Sequence, residues 1–402
     1  MDGKQLRQLM PELECFLERY AAHFGHANNL ARARQLLHGL LDGSDRRNVE
    51  NIAEAVEGGV VRTLQKFVAQ GAWGDGAVLG ELRSQVVQAM GDENAVMCVD
   101  ETGFPKKGTK SVGVKRQYSG ILGRVDNCQV GVFVNYVSRG EHVLLDRRLY
   151  LPEEWAEDLP RRREAGVPDA VVFRTKPELA LGMVEEAVAA KVPFRWVTGD
   201  SVYGDSPTFV QGLRALKKWY VLDVSSEMRV WLCAPKRLRS GKAKERAIPV
   251  GEALRRLPAG AWKKMTVAEG SQGPRVYEYA EMVAWFSEEG RPTPTWERLL
   301  FRRSIGQETG VKFQRSNAPP KIKLQRLAEV GGSRWTIEQD FQAAKGECGL
   351  DEYETRGWVG WHHHTALSML ALLFLVMQRQ RLGKKRAADE RARGACRVEA
   401  FA

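Results

Sequence analysis

The sequence predicts an α/β fold with a helical N-terminal region and a β-rich segment late in the chain. Three observations support this prediction. Apolar residues recur at helical spacing through residues 1–90. Strand-like apolar runs then alternate with helical patterns up to residue 225, an order typical of α/β sheets. From 226 to 330 the pattern changes to short β-like runs between basic or Gly/Pro-rich turns.

The N-terminal region, residues 1–90, is predicted to be a helical domain. It contains ten Lys/Arg and eleven Asp/Glu and is therefore nearly neutral. Such a domain either packs as a bundle on the rest of the chain or binds the ends of DNA. The charge does not favour the second interpretation, and both stay open.

The segment 91–225 is predicted to be the first part of the α/β core. Its apolar runs 95–99 and 193–198 end just before Asp100 and Asp200, and each is predicted to be a strand that ends there. Other strand-like runs lie at 129–137, 142–151 and 219–224, and helical patterns lie at 177–190 and 207–216.

Helical patterns return after the β-rich insertion, over residues 331–378. The part 365–378 is predicted to be a buried helix, because its apolar run is too short to span a bilayer. Residues 379–402 hold eight Lys/Arg against three Asp/Glu and are predicted to form a basic tail.

The composition indicates a soluble cytoplasmic protein with a polyanionic partner. Lys+Arg is 61 and Asp+Glu is 50, a net charge of +11, and 43% of the 402 residues are hydrophobic. The six cysteines form no CxxC pair, which argues against a disulfide framework or a zinc ribbon. The first residues lack the features of a signal peptide, and the motif GxxxxGK(S/T) of ATP-driven enzymes is absent.

Three acidic residues occupy positions suited to metal chemistry. Asp100 and Asp200 each follow an apolar strand pattern, and Glu338 lies in an amphipathic helical one. Ligands of open α/β sheets gather at the carboxyl ends of strands, where carboxylates can hold Mg²⁺. The alternative is that an Asp after a strand is only a turn residue or a helix cap.

The helix around Glu338 adds two cations to the same face. At 100° per residue, Arg334, Glu338 and Lys345 lie within roughly 40° of one another. Arg grips a phosphate through two hydrogen bonds, and Lys contributes a point charge. The alternative is an exposed Arg–Glu pair one helical turn apart, beside a solvated Lys.

Three stretches together resemble a known family: 99–137 (VDETGFPKKGTKSVGVKRQYSG and onward), 197–205 (VTGDSVYGD) and 333–375 (SRWTIEQDFQAAKGECG and onward). They are similar to bacterial insertion-sequence transposases of the DDE superfamily, in the insertion-sequence-4-like branch and of the insertion-sequence-701 type. The resemblance covers most of residues 90–375.

The resemblance implies an RNase H-like catalytic core interrupted by a β-rich insertion. Asp100, Asp200 and Glu338 would be its metal-binding residues, with two Mg²⁺ ions for which Mn²⁺ can substitute. The branch carries a Tyr-x2-Arg-x3-Glu-x6-Lys signature, which Arg334, Glu338 and Lys345 match, whereas Gly331 stands at the Tyr position.

The implied activity is DNA transposition, with double-stranded DNA as substrate at the element ends and at the target. A homodimer in the synaptic complex and a location in the bacterial cytoplasm, at the nucleoid, go with it. Basic residues that follow the first acid are candidate DNA contacts, or else solvated loop residues: Lys106, Lys107, Lys110, Lys115 and Arg116. Two other functions stay open, a catalytically inactive transposase-derived DNA-binding protein and a host RNase H-like nuclease.

Overall fold

The first 90 residues form helices that pack around the long C-terminal helix. The structure is a computed structural model that describes residues 3–43, 46–120, 123–258, 260–270, 273–307 and 309–399. The helices are α1 (Gly3–Glu18), α2 (Ala21–Phe24), α3 (Ala27–Leu41), α4 (Val49–Ala55), α5 (Val61–Gln70) and α6 (Asp75–Met90), and the C-terminal helix is α15 (Trp358–Glu399). Phe16 packs edge-on against Phe374, and Trp73 stacks on His363. The apolar side chains of this region therefore share one core with the rest of the chain.

The next part of the chain forms a mixed sheet flanked by helices. Its strands are β1 (Val96–Pro105), β2 (Lys115–Ser119), β3 (Arg124–Ser138), β4 (Glu141–Tyr150), β5 (Trp196–Gly199) and β6 (Trp219–Val224). Strands β1, β5 and β6 are parallel neighbours, and β3 pairs antiparallel with β1, β2 and β4. The helices between the strands are α7 (Glu153–Glu157), α8 (Leu159–Glu164), α9 (Lys176–Ala189), α10 (Ser201–Gly204) and α11 (Pro207–Ala215). The predicted α/β class is thereby confirmed.

Further strands extend this sheet from its β6 edge. They are β7 (Arg229–Trp231), β8 (Ile248–Pro249), β9 (Lys263–Gly270), β10 (Gly273–Glu288), β11 (Arg291–Pro292), β12 (Glu297–Ser304) and β13 (Lys312–Ser316), with α12 (Val250–Ala253) and a 3-10 turn (Leu254–Arg256) among them. Strand β13 pairs antiparallel with β6, so the segment continues the main sheet through hydrogen bonds. It also buries a small apolar cluster of its own, which includes Val230, Phe286 and Phe301.

Two sets of helices cover opposite faces of the central strands. α13 (Leu324–Gly332) leads into α14 (Trp335–Cys348), whose Phe341 packs edge-on against Phe133 of β3. On the other face, Lys176 at the start of α9 and Tyr203 of α10 both contact Glu101 of β1. Alternate residues of β1 therefore face α14 on one side and α9 and α10 on the other.

The apolar first part of the C-terminal helix α15 is buried inside the protein. Its part Trp358–Leu382 is long and apolar enough to cross a membrane, but 89% of the most apolar window is buried inside the protein. It is therefore a core helix. Residues 379–399 of the predicted basic tail continue α15 as a helix to Glu399, and 400–402 lie outside the described residues. The segment is rich in Ala, Arg, Lys and Glu, which are strong helix formers.

Three consecutive histidines of α15 make separate structural contacts. His362 binds Trp358 O, His363 lies between Val68 O and Trp73 O, and the Nε2 of His364 lies 2.8 Å from Gly349 O. Their different directions exclude a shared metal ion, as expected for neighbours on a helix. Burial lowers the pKa of all three, that of His364 to about 4.

We expect His364→Gln to weaken the acid sensitivity of the fold. Between its unfolded pKa of 6.5 and its folded pKa of about 4, His364 binds more protons in the unfolded chain, so acid favours unfolding. The loss in unfolding free energy from pH 7 to pH 5 should be about 2 kcal/mol smaller in the variant. Urea unfolding at both pH values measures this, with the exposed His26→Gln as control. An unchanged pH dependence in His364→Gln would contradict it.

Candidate active site

Asp100 lies inside β1, at the level where the neighbouring parallel strand ends. β1 pairs with β5 only from Val96 to Val99, whereas its pairing with β3 continues to Pro105. The prediction that the strand ends at Asp100 is therefore wrong, because β3 supplies hydrogen-bond partners to the residues that follow. The Asp100 carboxylate consequently lies beside the opening beyond the carboxyl end of β5.

Asp200 follows β5 directly and caps the short helix α10. Its Oδ1 accepts a hydrogen bond from the Val202 amide at 2.9 Å. The capping interpretation is thus correct, and it engages one of the two carboxylate oxygens. The charge of Asp200 contributes to the raised pKa of Asp100, so the two acids act on one another across the opening.

Arg334 joins the acidic residues of this opening. Its Nη1 donates to Asp100 Oδ2 at 3.0 Å, and its Nη2 lies 3.0 Å from Glu338 Oε1. Its Nε lies 3.9 Å from the Oδ2 of Asp223, the next to last residue of β6. An exposed Arg–Glu pair on one helix would not reach two strands, so Arg334 belongs to the site.

The carboxylates around this opening carry more negative charge than the single positive charge of Arg334 neutralises. Burial raises the pKa of Asp100 to about 7; Arg334 opposes this rise, and Asp200 and Glu101 add to it. Burial, followed by the charge of Glu101, also raises the pKa of Asp200. A cation placed here would relieve this repulsion.

A cavity of about 500 Å³ contains part of this cluster. It is lined by Asp100, Glu101, Thr102, Gly120, Glu338, Phe341, Gln342 and Lys345. The Nζ of Lys345 donates to Thr102 Oγ1 at 3.0 Å and to Gly103 O at 3.1 Å. Burial lowers the pKa of Lys345 to about 8. The predicted face of Arg334, Glu338 and Lys345 thus lies against β1.

The donor set suits a hard divalent cation. Asp100, Asp200 and Glu338 offer carboxylate oxygens, the ligands that Mg²⁺ prefers. Burial raises the pKa of both Asp100 and Asp200, and the positive charge of Arg334 only partly opposes this rise. Within the described part of the chain, no three His, Cys, Asp or Glu side chains lie close enough to hold a metal ion. Glu338, 58% exposed, is paired with Arg334. To bind a metal ion, its carboxylate would have to leave that partner.

Two acids outside the predicted site, Asp223 and Glu101, also shape its electrostatics. Asp223 accepts a hydrogen bond from Gln314 at 2.8 Å and faces Arg334. Glu101 binds Lys176 and the Tyr203 hydroxyl on the other face of β1, yet its charge still acts on Asp100 and Asp200. The strand pattern 219–224 ends near Asp223, as the earlier runs end near Asp100 and Asp200. This shared position at a strand end could have indicated that Asp223 belongs to the site.

Gly331 stands where the family signature has a tyrosine, and the space around this position explains the difference. A Cβ atom at this position would lie 2.7 Å from the Nε2 of the buried Gln314. Gln314 is also the residue that holds Asp223. A tyrosine at 331 would therefore displace Gln314, and the glycine preserves its contact with the acidic cluster.

The five basic residues after Asp100 are not one uniform surface. Lys106 lies over the Tyr353 ring and donates to its carbonyl, and burial lowers its pKa to about 8. Lys110 and Lys115 pair with exposed glutamates, Glu164 and Glu154. Lys107 and Arg116 are exposed. Weak surface pairs of this kind can be exchanged for phosphate contacts.

Two comparisons with known proteins show which proteins this chain is similar to. The family described as DDE superfamily endonuclease matches residues 19–285, a range that includes Asp100 and Asp200 and ends before Glu338. The chain is also 30% identical over 213 residues to a protein from Microchaete diplosiphon named probable transposase for insertion sequence element IS701. The alignment covers 52% of this chain and 53% of that relative, so the match spans about half of each protein.

Proposed function

Because the chain belongs to the DDE superfamily of endonucleases, we propose that it is a DNA transposase. It hydrolyses a phosphodiester at the end of an insertion sequence, and the freed 3′-hydroxyl then attacks another strand. The observation that carries the proposal is that Arg334 pairs with both Asp100 and Glu338, while the charge of Asp200 acts on Asp100. The relative named as a probable IS701 transposase supports transposition over other endonuclease reactions.

Asp100, Asp200 and Glu338 hold the metal ions in this proposal, two Mg²⁺ that Mn²⁺ can replace. Such ions activate the attacking water and stabilise the attacking and leaving oxygens. Arg334 leaves the carboxylates and grips a phosphate of the bound strand through two hydrogen bonds. Lys345 places a second positive charge in the cavity wall, and the exposed Lys107 and Arg116 contact phosphates farther along the DNA.

The same proposal assigns roles to the parts of the fold. The strand set β4–β3–β1–β5–β6 supports an RNase H-like core. Residues 226–330 would be its β-rich insertion, and 331–378 its C-terminal helices. Residues 1–90 share a core with α15, which favours a packing role for that region over an independent DNA-end domain. The partners would be element ends and target DNA, held by a homodimer in the cytoplasm at the nucleoid.

A second candidate is a transposase-derived protein that binds DNA without cutting it. Gly331 in place of the signature Tyr, and Arg334 paired with two of the three proposed ligands, favour this alternative. A host nuclease of the same superfamily is the third candidate.

Purified protein mixed with a duplex carrying the native flanks of its gene, in Mg²⁺ or in EDTA, distinguishes these three functions. The proposal expects a Mg²⁺-dependent cut at one position in the flank. Binding without a cut favours the second candidate, and cuts without regard to flank sequence favour the third.

Removing the guanidinium of Arg334 should strengthen metal binding and weaken DNA binding. In Arg334→Gln, Asp100 and Glu338 lose a partner that competes with metal, and one charged hydrogen bond is worth about 1.5–3 kcal/mol. We expect Mn²⁺ affinity in isothermal titration to rise about tenfold and flank-DNA affinity to fall. Arg256→Gln, which loses an exposed pair with Glu252, is the matched control. Equal Mn²⁺ affinity in Arg334→Gln and wild type would contradict this role.

A further inference from the structure

A two-stranded hairpin projects from the sheet beside the candidate active site. We call it the hairpin arm, formed by β2 (Lys115–Ser119) and residues 124–128 of β3. β1 ends at Pro105, which pairs with Cys128, and Lys106 still bonds Asn127, so this edge leaves residues 124–126 of β3 without a neighbour from β1. The arm therefore extends past the last paired strand as a narrow ribbon.

One face of the hairpin arm is the face of the sheet that carries Asp100. Asp100 lies opposite Phe133, and the pairing runs in unbroken register to Cys128. Alternation then places Val125 on the same face as Phe133, and Tyr118 pairs directly with Val125. Both side chains thus point to the side on which α14 and the acidic cluster lie.

Gly120, the residue directly after β2, lies at the cavity of the candidate active site. Gly120 lines that cavity together with Asp100 and Glu338. In a flat sheet the arm's tip would lie roughly 30 Å from the level of Asp100, given about 3.3 Å per residue. Because Gly120 nevertheless lines the same cavity as Asp100, the arm bends towards the opening of the candidate site.

The side chains on this face are unusual for an exposed ribbon. Tyr118 is 63% exposed and Val125 is 54% exposed. Edge ribbons ordinarily carry charges that discourage contact, whereas exposed apolar pairs mark contact surfaces. Arg116, on the same face two residues before Tyr118, is exposed as well. An aromatic ring beside a cation is suited to a nucleotide, whose base stacks and whose phosphate is negative.

We propose that the hairpin arm holds the DNA strand that enters the active site, with Tyr118 stacking on one of its bases. This inference rests on the proposed function and deepens it, since it names the element that positions the strand. Val125 supports the ring from the paired strand, and Arg116 contacts the phosphate next to the stacked base. Tyr118 is a positioning residue, because it acts on the strand at a distance from the acids.

The test compares Tyr118→Ala with Tyr118→Phe in flank DNA that contains 2-aminopurine at successive positions near the cut. Both binding and the fluorescence of the base analogue are measured in EDTA, so that cleavage does not interfere. Stacking on an aromatic side chain is worth about 1–3 kcal/mol per base. We expect Tyr118→Ala to bind about tenfold more weakly and to change the fluorescence at one position, while Tyr118→Phe matches the wild type.

The control is Val283→Ala, an exposed valine of β10 outside the hairpin arm, which should leave binding unchanged. Wild-type affinity in Tyr118→Ala, or an equal loss in Tyr118→Phe, would overturn the stacking role. Flank cleavage by the wild type is measured in parallel with Mg²⁺. If the wild type binds and cuts while Tyr118→Ala behaves identically, only the arm proposal fails. If the wild type binds no DNA, the proposed function fails, and the arm proposal with it.

Discussion

Asp100→Asn and Asp200→Asn should each abolish DNA cleavage while sparing most of the DNA affinity. Each change removes a carboxylate charge that we propose binds metal, and the loss of several kcal/mol of transition-state stabilisation lowers the rate on the order of 10³-fold. Asn is as good an N-cap as Asp, so the Asp200 variant keeps the start of α10. Initial cleavage rates on flank duplexes in Mg²⁺, with binding measured in EDTA, give the two effects separately.

The matched control for these variants is Asp169→Asn, an exposed acid far along the chain from either position. It should cut at the wild-type rate. Glu338→Gln should resemble the two Asp variants, although Glu338 lies on the surface of the site. Cleavage within about tenfold of the wild type in Asp200→Asn would remove Asp200 from the catalytic centre.

Arg315→Met should be the most destabilising of the proposed substitutions. Arg315 of β13 is 1% exposed and donates to Glu297 at 2.9 and 3.0 Å and to Glu288 at 2.9 Å. Tyr220 of β6 donates to Glu297 at 2.8 Å, so the network joins the first part of the sheet to its extension. Removing the guanidinium takes from the buried Glu297 carboxylate its close cationic partner and leaves it the Tyr220 hydroxyl, which costs about 3–5 kcal/mol. Urea unfolding measures the change in unfolding free energy.

A double variant separates the contribution of the Arg315–Glu297 ion pair to stability from the contribution of side-chain packing. Arg315→Met with Glu297→Leu removes both members, and we expect it to recover about half of the lost stability, since an apolar pair can replace a buried ion pair. Glu288 keeps Arg214 as a partner in both variants. Arg256→Ala, in an exposed pair, should change stability by less than about 0.5 kcal/mol. A decrease in unfolding free energy of less than about 1 kcal/mol in Arg315→Met would show that the connection between the first part of the sheet and its extension does not depend on this network.

The order of helices and strands was predictable because each element carries a local pattern. The helix at 177–190 and the strand at 219–224 appear as α9 and β6 within one residue at each end. The pairing of β13 with β6 was not predictable, because neither strand encodes its partner locally. The predicted end of β1 at Asp100 was also too early. The residues after Asp100 do not form an apolar run, and they lie in a strand because they pair with β3.

The candidate site was predictable through its family motifs more than through its electrostatics. The helical spacing of Arg334, Glu338 and Lys345 placed them on one face, and that face contacts β1. Spacing alone does not show that Arg334 also reaches Asp100 and Asp223, because these residues are separated by more than 100 positions in the chain. Membership of the DDE superfamily, predicted from three stretches, is confirmed.

The position of the metal site is tested most directly by iron-mediated cleavage of the protein backbone. Fe²⁺ replaces Mg²⁺ at carboxylate sites and, with peroxide, generates radicals that cut the nearest peptide bonds. On protein bound to flank DNA, we expect cuts near 97–103, 197–203 and 335–341, suppressed by excess Mg²⁺. Cuts confined to other parts of the chain, or cuts that persist unchanged in Asp200→Asn, would contradict a catalytic centre built from Asp100, Asp200 and Glu338.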